Sequence, residues 1–310
     1  MTMRAIGDTD LRVSALCLGG NVFGWTADEA QSHAVLDAFV DGGGNFIDTA
    51  DSYSFWVAGH VGGESETIIG RWLKARGHGD RVIVATKVGR LKGLEGLAPA
   101  TIRTGIEHSL RRLQVDCIDL YYAHADDPGT PLEDTLRTFD ALVREGKVRY
   151  IAASNYTAPR LAEALAISSR EHLAPFVALQ PHYNLMHRDE YEGGLRDLCA
   201  REHIACAPYF ALAVGFLTGK YRDGSTVESA RAAGASKYLD ERGRRVLGVL
   251  DQVAAAHATT VAAVALAWLA AQPTVVAPIA SARTVVQLQD LLPAMTLQLS
   301  DAELAQLAAA

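Results

Sequence analysis

Four side chains in this sequence could together move a proton: the carboxyl of Asp48, the phenol of Tyr53, the ammonium of Lys87 and the imidazole of His124. Asp48 and Tyr53 share one stretch, Asn45-Phe46-Ile47-Asp48-Thr49-Ala50-Asp51-Ser52-Tyr53, which has the pattern of a strand running into a loop. Alternate residues of a strand share a face, so Asp48 lies with Phe46 and Ala50. A carboxylate buried on such a face needs a cation or hydrogen-bond donors. Two later apolar runs also end in ionisable groups, Ile83-Val84-Ala85-Thr86 in Lys87 and Leu120-Tyr121-Tyr122-Ala123 in His124. A phenol gives up its proton reluctantly at neutral pH, because its pKa is ~10. A nearby ammonium favours the phenolate, so Lys87 is expected to lower the pKa of Tyr53 while Asp48 holds the ammonium. Taken singly, each residue has a plainer reading: a structural Asp48–Lys87 ion pair, a core histidine, a loop aromatic. Three strand ends that carry them together point instead to one site at the mouth of a parallel barrel.

The elements that must position these groups follow a regular beat. Residues 3–6 and 11–13 flank Gly7-Asp8-Thr9-Asp10 and predict a small hairpin. Strands are then predicted over 15–18, the Asp48 stretch, 82–88, 118–124, 148–154, 176–180, 204–209 and 275–279. Helices are predicted over 28–40, from Ser65 onward, and over 99–113, 131–145, 159–168, 191–203, 241–257 and 261–271. Residues 285–292 and 301–307 close the chain as further helices, and 215–237 forms a polar, Gly-containing connection. Near-continuously apolar strands between helices imply a parallel sheet covered on both faces. Eight such units predict an α/β fold of the (β/α)8 TIM-barrel type, with an N-terminal β-hairpin and extra C-terminal helices, as one domain over residues 1–310. A doubly wound dinucleotide fold needs GxGxxG after its first strand, and none is present. Gly215 to Lys220 has one spacer too few for a Walker motif, and Tyr221 stands where Ser or Thr would bind Mg²⁺. Gly42-Gly43-Gly44 precedes a strand and is read as a helix stop.

Composition bounds the function classes. A hydrophobic content of 49%, a charged content of 21% and a net charge of −7 suit a soluble globular protein and disfavour a nucleic-acid surface. Four cysteines without a CxxC pair indicate reduced thiols and a cytoplasmic location. The N-terminus lacks the layout of a signal peptide. The apolar stretch 258–271 is too short for a membrane span and predicts a buried helix. Ten histidines show no metal-ligand spacing, which argues against a metal-dependent barrel hydrolase.

The Asp48–Tyr53 stretch, the Lys87 strand and the His124 strand resemble the Asp, Tyr, Lys, His tetrad of the aldo-keto reductase family. The resemblance covers essentially the whole chain. It implies NADPH-dependent reduction of an aldehyde or ketone to the alcohol, a small-molecule carbonyl being the partner. Tyr53 would give the proton and His124 would hydrogen-bond the carbonyl oxygen. Hydride is beyond side chains and requires a nicotinamide cofactor. The resemblance assigns the carboxamide of NADPH/NADP+ to Ser154, Asn155 and Gln180, and ring stacking to Tyr209. Ser154-Asn155 also reads as a helix cap, and Gln180 as a strand-end amide. The stretch from Leu212 through Gly215 to Lys220 would close over the pyrophosphate, and Ser281, Arg283, Gln287 and Asp290 would surround the adenosine 2′-phosphate. Four positions depart from the family pattern: Phe210-Ala211 replaces Ser-Pro, Ser281 a glycine and Leu291 an asparagine. Phe55 and Trp56 predict an apolar substrate lining. A nucleotide-binding sensor or channel-associated subunit with little turnover is the alternative reading. Nothing in the sequence specifies the carbonyl or an oligomeric state.

Overall fold

The computed structural model describes residues 3–77, 81–224 and 227–310. Eight parallel strands form its centre: Cys17–Gly19, Phe46–Asp48, Ile83–Val88, Ile118–Ala123, Val148–Ser154, Phe176–Gln180, Ala205–Cys206 and Ile279–Ala280. The first seven pair successively in chain order, and the eighth pairs with the first. Hydrogen bonds from Cys206 N to Thr274 O (2.8 Å), Val276 N to Cys206 O (2.8 Å) and Ile279 N to Pro208 O (2.9 Å) join the seventh strand to the eighth and close the ring. The (β/α)8 barrel expected from the alternation is therefore present.

Side-chain alternation divides the strands between two cores. Cys17, Phe46, Ile83, Ala85, Leu120, Tyr122, Ala152 and Ala178 fill the barrel. Their neighbours, among them Leu18, Ile47, Val84, Tyr121, Ile151 and Leu179, pack outward under the helices. The expected hairpin pairs Arg4–Ala5 with Arg12–Val13 and sends Ile6, Leu11 and Val13 into the inner core, closing the barrel's N-terminal end. The helices begin where the sequence offers caps. Asp28 and Gln31 form a capping box for Glu29–Asp41, Pro99 occupies the first turn of Pro99–Leu113, and Thr260 caps Val261–Ala270. Val261–Ala270 is buried along all but its first residue. Among the described residues no single helix is long and apolar enough to cross a membrane. That helix and the preceding Glu241–Ala256 pass such a test only as a pair bent by 98°.

Several boundaries differ from expectation for identifiable reasons. The seventh strand stops at Cys206 instead of running to 209, and the eighth begins at Ile279 instead of 275. Pro208 and Pro278 lack the N–H that a ladder needs, so these segments are joined by isolated bridges. The helix predicted from 191 begins at Gly194, because Gly193 adopts φ +99 and breaks the turn. The polar 215–237 connection contains a 3-10 segment, Ala213–Thr218, and a short helix, Ala232–Ser236; residues 225 and 226 lie outside the described residues. A second hairpin, Arg90–Leu91 with Leu94–Glu95, follows the third strand and has no counterpart in the sequence reading.

Candidate active site

Asp48 is the last residue of the second strand, Lys87 lies one residue from the end of the third, and His124 directly follows the fourth. The register pairs Asp48 with Ala85 and Lys87 with Tyr122, which brings all three to one end of the barrel. Lys87 is fully buried, and each of its N–H donors has an acceptor: Asp48 Oδ2 at 2.7 Å, Thr49 O at 2.7 Å and the Tyr53 hydroxyl at 2.8 Å. The Tyr53 hydroxyl in turn donates to Asp48 Oδ2 at 3.1 Å. Gln180 Nε2 donates to Asp48 Oδ1 at 2.8 Å, so this amide secures the carboxylate. The His124 ring stands edge-on to Tyr53, with centroids 6.3 Å apart.

The electrostatics correct one expectation. Burial, followed by the charge of Asp48, pushes the Tyr53 phenol well above its ordinary value instead of below it. The carboxylate offsets the Lys87 ammonium, and the phenolate has little water to solvate it. Tyr53 therefore keeps its proton. Burial also lowers the pKa of Lys87, against the pull of Asp48. His124 falls well below its usual value through burial, then Lys87 and Arg90, so its ring is neutral.

A single cavity of about 830 Å³ opens above this cluster. Asp48, Tyr53, His124 and Gln180 line its floor, while Lys87 sits behind Tyr53. Ser154, Asn155 and Tyr209 line it beside the fifth and seventh strands, and Phe55 and Trp56 line it from the loop after Tyr53. A long arm contains Leu212, Gly215, Lys220, Ser281, Arg283, Gln287 and Asp290. Asn155 adopts φ +58, donates to His124 O at 2.9 Å and Ser154 Oγ at 3.0 Å, and accepts from the Tyr209 hydroxyl at 2.8 Å. Ser281 donates to Asn21 Oδ1 at 2.7 Å. A Cβ on Gly19 would lie 2.7 Å from its Oγ, so the glycine in the first strand makes room for a serine here. The Phe210-Ala211 turn closes through Ala213 N to Phe210 O at 2.7 Å and is held by Asn184 Nδ2 at 2.9 Å.

Residues 15–310 match the model of the Aldo/keto reductase family. The chain belongs to this family. Relatives include Protein tas of Escherichia coli (strain K12), 33% identical over 100% of this chain and 97% of that protein. Norsolorinic acid reductase of Aspergillus flavus is 31% identical over 96% of this chain and 77% of its own length. Aldo-keto reductase yakc [NADP(+)] of Schizosaccharomyces pombe is 31% identical over 96% and 88% respectively. As an aldo/keto reductase, the chain is assigned to the oxidoreductases.

Three cavity residues of this aldo/keto reductase had escaped the sequence reading. Trp25 meets Trp56 edge-on at 5.5 Å. Arg231 lies over Trp25 at 5.7 Å, and burial and then the like charge of Arg283 lower its pKa. Among the described residues neither Arg231 nor Arg283 pairs with a carboxylate, so two guanidiniums in one arm are available to an anion. Arg90, from the unforeseen hairpin after the third strand, also lines the cavity. Trp25 and Arg231 lie outside regular periodic elements, and Arg90 lies in a two-residue strand, so no spacing marked them.

Behind the tetrad is a second polar group of residues. Glu66 accepts from Thr86 Oγ1 at 2.5 Å and Arg112 Nε at 2.6 Å. Asp51 is 1% exposed, and neither of its oxygens accepts a side-chain hydrogen bond. Burial and then the charge of Glu66 push its carboxyl up to about 7.

Proposed function

We propose that this protein reduces an aldehyde or ketone to the alcohol at the expense of NADPH, with Tyr53 as the proton donor. One observation carries the reading: the phenol of Tyr53, at the cavity floor, accepts a hydrogen bond at 2.8 Å from buried Lys87, which is itself held by Asp48. The residues fit the nucleotide. Arg231, Arg283 and Lys220 supply cations in the long arm, and Tyr209, Asn155 and Ser154 supply an aromatic face and amide partners nearer the tetrad. The names of the Aspergillus and Schizosaccharomyces relatives, a reductase and an NADP(+) enzyme, agree with it. Nicotinamide supplies the hydride that side chains cannot.

The chain's own groups act on the carbonyl oxygen. Neutral His124 offers a ring N–H, which orients the carbonyl and stabilises charge as it develops. The growing alkoxide is a stronger base than a carbonyl and draws the proton from Tyr53. Lys87, already bonded to that oxygen, stabilises the phenolate left behind. Asp48 keeps the ammonium charged, and Gln180 keeps Asp48 in place.

The test is Tyr53→Phe, which preserves the ring and deletes only the hydroxyl. General acid catalysis is worth about 10²–10⁴-fold, so kcat should fall by at least ~100-fold. NADPH affinity should remain near wild type. A loss smaller than tenfold on the best aldehyde would place the proton source elsewhere. Multiple turnovers by the wild type distinguish a reductase from the nucleotide sensor.

A further inference from the structure

The hairpin after the third strand turns a cation toward the floor of the cavity. Its strands, Arg90–Leu91 and Leu94–Glu95, are joined by Lys92-Gly93, with Gly93 at φ +83. Leu91 anchors it: the side chain is 9% exposed and lies so close to Gly62 that a Cβ there would meet it at 2.4 Å. Gly89, at φ +109, packs on Gly96 and closes the base through Gly96 N to Gly89 O at 3.0 Å. Alternate residues of a strand face opposite ways, so with Leu91 inward, Arg90 is directed away from it and lines the cavity.

Arg90 and Glu95 are directly opposite across this hairpin, an arrangement in which opposite charges normally pair. Here they do not. Glu95 Oε2 accepts from the Gly93 backbone N–H of the turn at 2.9 Å, and Arg90 pairs with no carboxylate among the described residues. Its charge is felt instead at two groups on the cavity wall: it adds to burial and Lys87 in lowering the pKa of His124, and it opposes the burial that raises that of Tyr209. The cations of the long arm, Lys220, Arg231 and Arg283, come from segments after the seventh strand and around the eighth. In the closed ring the third strand lies across from these. Arg90 is thus a cation beside the proposed reacting groups, separate from those positioned for the nucleotide. The aromatic rings of Trp25, Phe55 and Trp56 line the same cavity.

We propose that Arg90 is a specificity-determining residue that selects carbonyl substrates bearing an anionic group, above all a carboxylate, on an aromatic or apolar frame. This deepens the reductase reading and rests on it. The guanidinium can take a carboxylate through two parallel N–H bonds, a geometry neither lysine nor water reproduces. A neutral ester of the same shape lacks the charge and half of that recognition.

The experiment compares 4-carboxybenzaldehyde with its methyl ester. Binding to the protein is followed by the fluorescence of Trp25 and Trp56 against the constant background of buried Trp72 and Trp268. In a separate arm, reduction of both compounds is followed by NADPH oxidation. Wild type should bind the acid at least tenfold tighter than the ester at low salt. Arg90→Gln should cut that preference by tenfold, and Arg90→Glu should reverse it. An equal affinity of wild type for acid and ester, or a preference that survives Arg90→Gln, overturns the proposal. If neither compound is reduced by any form, the reductase reading fails while the binding arm still decides the role of Arg90.

Discussion

Replacing Asp51 with Asn keeps the shape of the side chain and removes a buried carboxyl that has no side-chain partner. Four elements near Asp51 contribute a charged or titratable group. Glu66 comes from helix Glu64–Arg76, Arg112 from Pro99–Leu113, Lys87 from the third strand and Tyr121 from the fourth. The carboxyl is raised from 3.8 to about 7 in the folded protein. The sign follows from proton counting. Below 3.8 both states are protonated, and the group adds no pH dependence. Between 3.8 and about 7 the unfolded chain releases a proton that the folded chain retains, so stability is lost as pH rises. Above that range both are ionised, and the full penalty is present. About three pH units at ~1.4 kcal/mol each set a ceiling of ~4 kcal/mol. Local relaxation and water penetration should leave about half, ~2 kcal/mol. Urea denaturation of both proteins at intervals from pH 5 to pH 9 measures it. The stability of Asp51→Asn minus that of wild type should climb with pH and level off above pH 7 to 8. A constant difference, or one that shrinks as pH rises, would refute the reasoning.

Two further substitutions test the arms of the cavity. Arg283→Ala should weaken NADPH binding by about 1–3 kcal/mol, the worth of a charge-assisted hydrogen bond, and leave NADH binding nearly unchanged. Equal losses for both nucleotides, measured by fluorescence titration, would move the 2′-phosphate away from Arg283. Trp56→Ala, which also removes the ring edge against Trp25, should raise KM for bulky apolar carbonyls and spare small ones in steady-state assays. Uniform losses with lowered thermal stability would make Trp56 a packing residue.

The meeting of Asp48, Tyr53, Lys87 and His124 was legible because, at the strand ends, the alternation of apolar residues is interrupted by an ionisable one. Asp48, Lys87 and His124 each follow such a run, and a barrel's closed ring brings their ends together. The long arm was legible only through family resemblance, since Ser281, Arg283 and Gln287 follow a strand of two residues. Arg90 was hidden for a similar reason: a two-residue strand has no period. The truncated seventh and eighth strands were foreshadowed by Pro208 and Pro278, but their apolar neighbours carried the pattern past them. The phenol's direction of shift was the deepest miss. A sequence places Lys87 near Tyr53 but does not reveal that Asp48 binds the same ammonium and the same hydroxyl.

The three occupied donors of Lys87 have a consequence for the direction of the proposed reaction. An ammonium bonded to Asp48, Thr49 and Tyr53 has no spare hydrogen to turn toward the substrate. The phenol hydrogen is then the one part of the cluster free to change partner, between Asp48 Oδ2 and the oxygen of the bound compound. Moving it outward completes a reduction, and taking it back begins an oxidation through the same arrangement. A catalyst lowers the barrier to both strokes alike. The net course of the proposed reaction is therefore set outside the protein, by the amounts of the two nucleotide forms and of carbonyl and alcohol, and by pH.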